Sequence, residues 1–228
     1  MGEPSEVVIP LFGFLDVTGE VIAMWILLAV LAVLSLLATR HLSERPGRFQ
    51  NLVEFGVEYL DHFFGGILGK KNCRRYFYFL SSLFIFIIFA NYSGLVPGVG
   101  LSKYVKAPTS SLSVTLGLGV VTFFFLQIAS IRALGFKGYI HRFISPIVFL
   151  LPLMALDEFI KPASLALRLF GNVFGEESVT ERLYEILPIG APIIMMALSI
   201  LFCFLQAVVF TMLTSIYLSE AVESEEEH

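Results

Sequence analysis

Apolar and polar positions fall into long blocks along this chain instead of short alternations. Four blocks are almost free of charge: residues 21–39, 76–97, 112–131 and 193–218. A helix rises about 1.5 Å per residue, so each block crosses about 30 Å of hydrocarbon and predicts a transmembrane helix. A fifth block, residues 143–174, is rich in Leu, Phe and Ile but carries Asp157, Glu158, Lys161 and Arg168. Charges inside a span are rare and functional by default, so this block predicts a span with a task. Between the first two blocks, residues 49–68 place Phe49, Leu52, Val53, Gly56, Leu60, Phe63, Phe64 and Ile67 at helical spacing, with Gln50, Asn51, Glu54, Glu58 and Asp61 on the other side. That pattern predicts an amphipathic helix lying in the membrane interface. A sixth, poor span is the alternative. The expected fold is an all-α membrane protein with five transmembrane helices and one interfacial amphipathic helix, the last two spans forming a long polar-striped helical hairpin.

Composition agrees. Of 228 residues, 57% are hydrophobic and 15% charged, which points to one polytopic membrane domain and away from a soluble enzyme. The basic residues set an orientation. Arg40, Arg45, Arg48, Lys70, Lys71, Arg74 and Arg75 crowd the first connection, Lys103 and Lys106 the second, and Arg132, Lys137 and Arg142 the third. By the positive-inside rule the first and third connections are cytoplasmic. Residues 1–20 then lie outside, the acidic Glu176 to Glu185 stretch lies outside, and the acidic tail, residues 219–228, is cytoplasmic. A sixth span would spoil this asymmetry. The first apolar block is preceded by Glu3, Glu6, Asp16 and Glu20 instead of a basic segment, so it is expected to stay as a helix and not be cleaved as a signal peptide.

Arg168 is the informative charge. A guanidinium at mid-membrane costs ~2.5 to 3.5 kcal/mol on insertion scales and ~10 or more in simulation, and it cannot shed its proton to escape. It needs a partner or water. On a helical wheel Asp157 and Lys161 fall within about 20° of Arg168, and Ser164 and Asn172 within about 40°. Gly171 and Gly175 share that side, so the stripe suits close approach by a partner that presents a polar group. The alternative is that Arg168 pairs inside this chain with Glu176 or Glu177. The last block has a sparser stripe, Ser199, Cys203, Gln206, Phe210, Leu213 and Tyr217, recurring at three and four residues. Gln206 is its only amide, and an amide in such a helix must bond to another helix or to water, which makes it a candidate to face the Arg168 stripe.

Other chemistry is not indicated. Gly65 to Lys71 lacks the spacing and the Ser or Thr of a phosphate loop, so nucleotide binding is not expected. His41, His62, His141 and His228 sit at expected helix ends and the terminus, Cys73 and Cys203 lie at different expected depths, and no triad or zinc-site spacing occurs. No catalytic residue, metal, cofactor or nucleic acid is expected.

The run Lys161-Pro162-Ala163-Ser164-Leu165-Ala166-Leu167-Arg168-Leu169-Phe170-Gly171-Asn172, with Glu177 nine residues beyond the arginine, closely resembles the signature of the a subunit of F-type rotary ATP synthases. Asn91-Tyr92-Ser93-Gly94-Leu95-Val96-Pro97-Gly98, Pro108-Thr109 with Val114-Thr115-Leu116, and Leu205-Gln206-Ala207 with Tyr217-Leu218 are similar to further motifs of that family. The likeness covers roughly residues 76 to 220; the first 75 match in topology alone. It implies a non-catalytic membrane stator in a bacterial plasma membrane, or an organelle membrane, working with an oligomeric ring of c subunits, the b subunits of a peripheral stalk and the rest of the complex. It also implies that Arg168 faces the ring and attracts its passing carboxylates between two offset half-channels. Asn172, Glu177 and Gln206 match positions lining the outer half-channel, Ser164 and Lys161 lie toward the cytoplasm, and Glu176 and Asp157 are plausible additions. Ser111, Ser113 and Ser199 stand where relatives carry more polar or titratable groups, which leaves Glu177 as the expected chief titratable group of the inlet. A stand-alone ion channel or secondary transporter remains the alternative, although two inverted halves are not visible in the sequence.

Overall fold

Uninterrupted apolar sequence with few helix breakers forms long helices here. The computed structural model describes residues 7–11, 15–40, 47–95, 108–144, 151–186 and 191–223. The Lys103/Lys106 loop, Val96-Pro97-Gly98 and the tail beyond Glu223 lie outside the described residues. In chain order the elements are β1 (Val7–Leu11), β2 (Leu15–Thr18), α1 (Gly19–Thr39), α2 (Arg48–Ser93), α3 (Leu112–Ile144), α4 (Leu151–Ile186) and α5 (Ala191–Glu223), with a 3-10 turn at Pro108–Ser110 before α3. The strands form a short antiparallel hairpin pairing Val7 with Thr18 and Leu11 with Leu15. This hairpin is a local addition to the expected all-α fold, favoured by the β-branched run Val7-Val8-Ile9; the long elements are helices.

Four of the described helical stretches are long and apolar enough to cross a membrane: Val21–Thr39, Arg48–Ser93, Leu112–Ile140 and Ile194–Val222. The charges of α4 keep it off that roll, as the sequence anticipates for the block around Arg168. Within α2 the amphipathic stretch and the second span are two helices that meet at a kink at Gly69 (φ 73°, ψ 156°), between the two segments the sequence separates, and α3 runs past residue 131 to a matching kink at Gly135 (φ 69°, ψ 163°). Positive φ is cheap for glycine alone, so each glycine redirects a helix without a loop. The expected span 143–174 is also displaced: residues 143–144 close α3, and α4 begins at Leu151 and continues to Ile186. Its acidic continuation is helical because Val179 and Leu183 keep helical spacing among good helix formers.

Helices α2, α3, α4 and α5 pack on one another, whereas α1 touches mainly α2. One apolar cluster joins the amphipathic arm to the bundle: Leu60, Phe64 and Leu68, four apart, meet Leu80, Leu126, Ala129 and Leu218. A second joins α2, α4 and α5 through Leu83, Ile87, Leu165, Leu169, Ala207 and Phe210. Phe79 and Phe125 stack at 3.5 Å between centroids. Outward apolar residues such as Trp25, Leu36 and Phe124 are exposed, as befits helices whose outer solvent is hydrocarbon and whose cohesion comes from packing.

The α3–α4 contact is close at Gly119. A Cβ there would stand 3.0 Å from Ala166 Cβ and 3.1 Å from the Pro162 carbonyl oxygen. Gly119→Ala is therefore expected to destabilise the bundle by about 1–3 kcal/mol. The check is a lowered midpoint in thermal unfolding of the detergent-solubilised protein; an unchanged midpoint would show slack at this contact.

Candidate functional site

The polar stripe of α4 meets the polar stripe of α5, and two side-chain bonds define how. Asn172 Nδ2 donates to Gln206 Oε1 at 2.6 Å. About 16 Å along α4 toward its start, Lys161 Nζ pairs with Glu220 Oε2 at 2.7 Å. The two bonds pair rising numbers on one helix with falling numbers on the other, so the helices run antiparallel. Lys161 Nζ also stands 5.1 Å from the centroid of the Tyr217 ring.

Arg168 falls between these bonds. By the register they impose, it lies level with residues 210–213 of α5, where Phe210 is fully buried and Thr211 turns its hydroxyl back to the Ala207 carbonyl at 2.8 Å. The one proton of that hydroxyl is thus spent within its own helix. Arg168 is exposed, and among the described residues no carboxylate or other hydrogen-bonding group pairs with it. The alternative pairing with Glu176 or Glu177 is not formed.

The remaining expected residues lie around this line. Ser164 and Asp157 are exposed on the same face of α4. Glu176 is half-buried and close enough to Cys203 of α5 to interact electrostatically, which puts it one turn beyond the Asn172–Gln206 bond. Glu177 is exposed and lies about 180° around α4 from Arg168. Gln206 is 4% exposed and its Nε2 is left without a partner among protein atoms, an orphan donor that in a buried polar site calls for water.

Several polar residues went unremarked in the sequence. Glu220 is one, although the wheel places it about 40° from Gln206 on α5; as the first acid of an acidic tail it looked solvated. Gln127 is another. Its Nε2 donates to Glu158 Oε2 at 3.2 Å, and its Oε1 accepts from the Tyr139 hydroxyl at 2.6 Å, linking α3 to α4 and across the Gly135 turn. No periodicity could foresee that bond, because it depends on where the chain goes after Gly135. At the other end of the bundle Asn91 Nδ2 donates to the Cys203 carbonyl at 3.3 Å and the Tyr92 hydroxyl to the Ile200 carbonyl at 3.1 Å. These bonds tie α2 to the α5 segment that precedes Gln206. Among the described residues no cluster of His, Cys, Asp and Glu has the makings of a metal site.

The contact between stripes has a direct check. With Cys73 and Cys203 replaced by serine, the pair Asn172→Cys and Gln206→Cys is expected to cross-link efficiently with a short bifunctional thiol reagent. The control pair Leu167→Cys and Gln206→Cys is not. Equal yields would mean that α4 and α5 do not meet in this register.

The family described as ATP synthase A chain matches residues 21–219. ATP synthase subunit a of Moorella thermoacetica is 40% identical over 210 residues, covering 92% of this chain and 93% of that protein. ATP synthase subunit a 1 of Syntrophotalea carbinolica is 37% identical over 216 residues, covering 93% of this chain and 88% of its own length.

Proposed function

The chain belongs to the ATP synthase A chain family, and from that premise we propose that Arg168 is the fixed charge against which a rotor turns. The family's place is in the membrane sector, as a non-catalytic, proton-translocating stator subunit. The protein is accordingly a multi-pass membrane component of the F-type complex, in the plasma membrane of a bacterium, and its partners are the other subunits of that complex.

The face of α4 that carries Asp157, Ser164 and Arg168 opposes a ring of c subunits, each with a carboxylate at mid-depth. An ion pair ~4 Å apart is worth about 4 kcal/mol at an effective dielectric of ~20, enough to keep a passing carboxylate ionised and weak enough to break as the ring advances. Because the guanidinium stays charged, a protonated carboxylate is not accommodated beside it, and protons do not leak straight across. They enter from outside past Glu176, Glu177, Asn172 and Gln206, ride the ring, and leave toward the cytoplasm past Ser164, with Lys161 beside the exit as a fixed charge that relays no proton itself. Each proton crossing ~100 mV releases ~2.3 kcal/mol, which the route through the ring converts to torque.

The observation that carries this reading is the state of Arg168, exposed on α4 and unpaired among the described residues, while the polar groups above and below it are bonded to α5. A permanent charge in a membrane helix without an internal partner implies an external one. The amphipathic arm, residues 48–68, fits along the cytoplasmic surface, with Phe49, Leu52 and Phe55 exposed toward lipid headgroups or toward b subunits of the peripheral stalk. The termini then lie outside at the start and in the cytoplasm at the end, as the basic residues imply.

Purification in mild detergent tests the reading. Co-elution with a ring of small two-helix subunits, and proton conduction that needs that ring, are expected. A monomeric protein that conducts ions alone in liposomes would favour the self-contained channel instead.

A further inference from the structure

Two cations share one face of α4. Lys161 lies about 20° around the helix from Arg168 and about 10 Å from it along the axis. A rotor carboxylate attracted by both would be held on the cytoplasmic side as well as at mid-depth. Yet the two are in different states. Arg168 is unpaired among the described residues, whereas the Lys161 ammonium is 2.7 Å from Glu220 Oε2 and 5.1 Å from the Tyr217 ring centroid.

We propose that Glu220 is a positioning residue that neutralises Lys161, leaving Arg168 as the charge the ring carboxylate meets. This rests on the rotor-facing role of Arg168 argued above. A purely structural clasp explains the pair less well. Its side chains are 28% and 49% exposed, and partly exposed ion pairs hold helices together only weakly. The α4–α5 contact is already made by Leu165, Leu169, Ala207 and Phe210, all buried. The pair's long-range effect is larger. A bare charge ~12 Å from a carboxylate at an effective dielectric of ~20 shifts its ionisation equilibrium about tenfold. A counter-charge within hydrogen-bond distance removes most of that. An unmasked Lys161 would deepen the hold on the ionised carboxylate near the exit and hinder its next step.

The test uses the assembled complex in inverted vesicles, reading proton-driven ATP synthesis per unit of complex. Glu220→Gln keeps the shape and removes the charge; synthesis is expected to fall about tenfold with the amount of complex unchanged. Adding Lys161→Gln to Glu220→Gln is expected to recover most of the loss, because the unmasked charge is then gone. A clasp predicts the reverse, the double variant being no better than Glu220→Gln alone. A Glu220→Gln complex at full rate, a double variant without recovery, or loss of assembly in Glu220→Gln would each overturn the proposal. Failure of the underlying reading is separately visible: in that case Arg168→Ala retains synthesis whatever the pair does.

Discussion

Arg168→Ala is expected to abolish proton-driven ATP synthesis while leaving the complex assembled. The loss should be at least a hundredfold, because the ~4 kcal/mol of a close ion pair at an effective dielectric of ~20 corresponds to about a thousandfold in the carboxylate's ionisation equilibrium. Assembly should survive because the guanidinium is exposed and bonds to no other group among the described residues, so its removal leaves none of them buried and unpaired. Deleting one member of a buried internal pair would act in the opposite way, stranding the other charge. Arg168→Lys is expected to be severely impaired as well, since an ammonium in a membrane can lose its proton and lacks the planar fork of donors. The measurement is ATP synthesis in inverted vesicles, normalised to complex captured intact. A normal rate in Arg168→Ala would end the gating mechanism, and loss of the complex would make the arginine a structural residue.

The second large effect belongs to the inlet. Replacing both Glu176 and Glu177 with glutamine is expected to slow proton translocation at least tenfold with the complex intact, because both acidic groups assigned to the outer path are then gone. Glu177→Gln alone should slow it measurably. Glu176→Gln should slow it more, since Glu176 is the half-buried carboxylate on the α5 side, one turn beyond the Asn172–Gln206 bond, while Glu177 points about 180° away from Arg168. Passive proton conduction through membranes stripped of the catalytic sector isolates this step from ATP chemistry. Unchanged conduction in the double variant would remove both residues from the path.

The family likeness was carried by a short stretch whose residue types have physical reasons to occur together. A membrane arginine flanked at helical spacing by small and polar residues is costly unless it has a partner, so its presence in residues 161–172 could be read without coordinates. The spans were equally legible, since about 20 apolar residues in a row have few places to go except across a bilayer. Element ends were less so. Hydropathy stopped the fifth block at residue 174 because Glu176, Glu177 and Glu185 are charged, yet Val179 and Leu183 carry the helix to Ile186. Its separation of residues 49–68 from the second span does match a break, since the chain kinks at Gly69 between them.

By itself the sequence determined the number of long apolar helices, the face of α4 on which the charges gather and the isolation of one permanent cation among apolar neighbours. These follow from composition and a fixed period of 3.6 residues, which are local properties of each segment. Only the tertiary structure decided which charge is answered and which is not. Lys161 finds Glu220 and Asn172 finds Gln206, while Arg168, between them, is exposed and has no bonding partner among the described residues. A wheel gives the direction in which a side chain leaves its helix. What stands opposite depends on the axial register of two helices joined far away in sequence, and that register is set by how Leu165, Leu169, Ala207 and Phe210 pack.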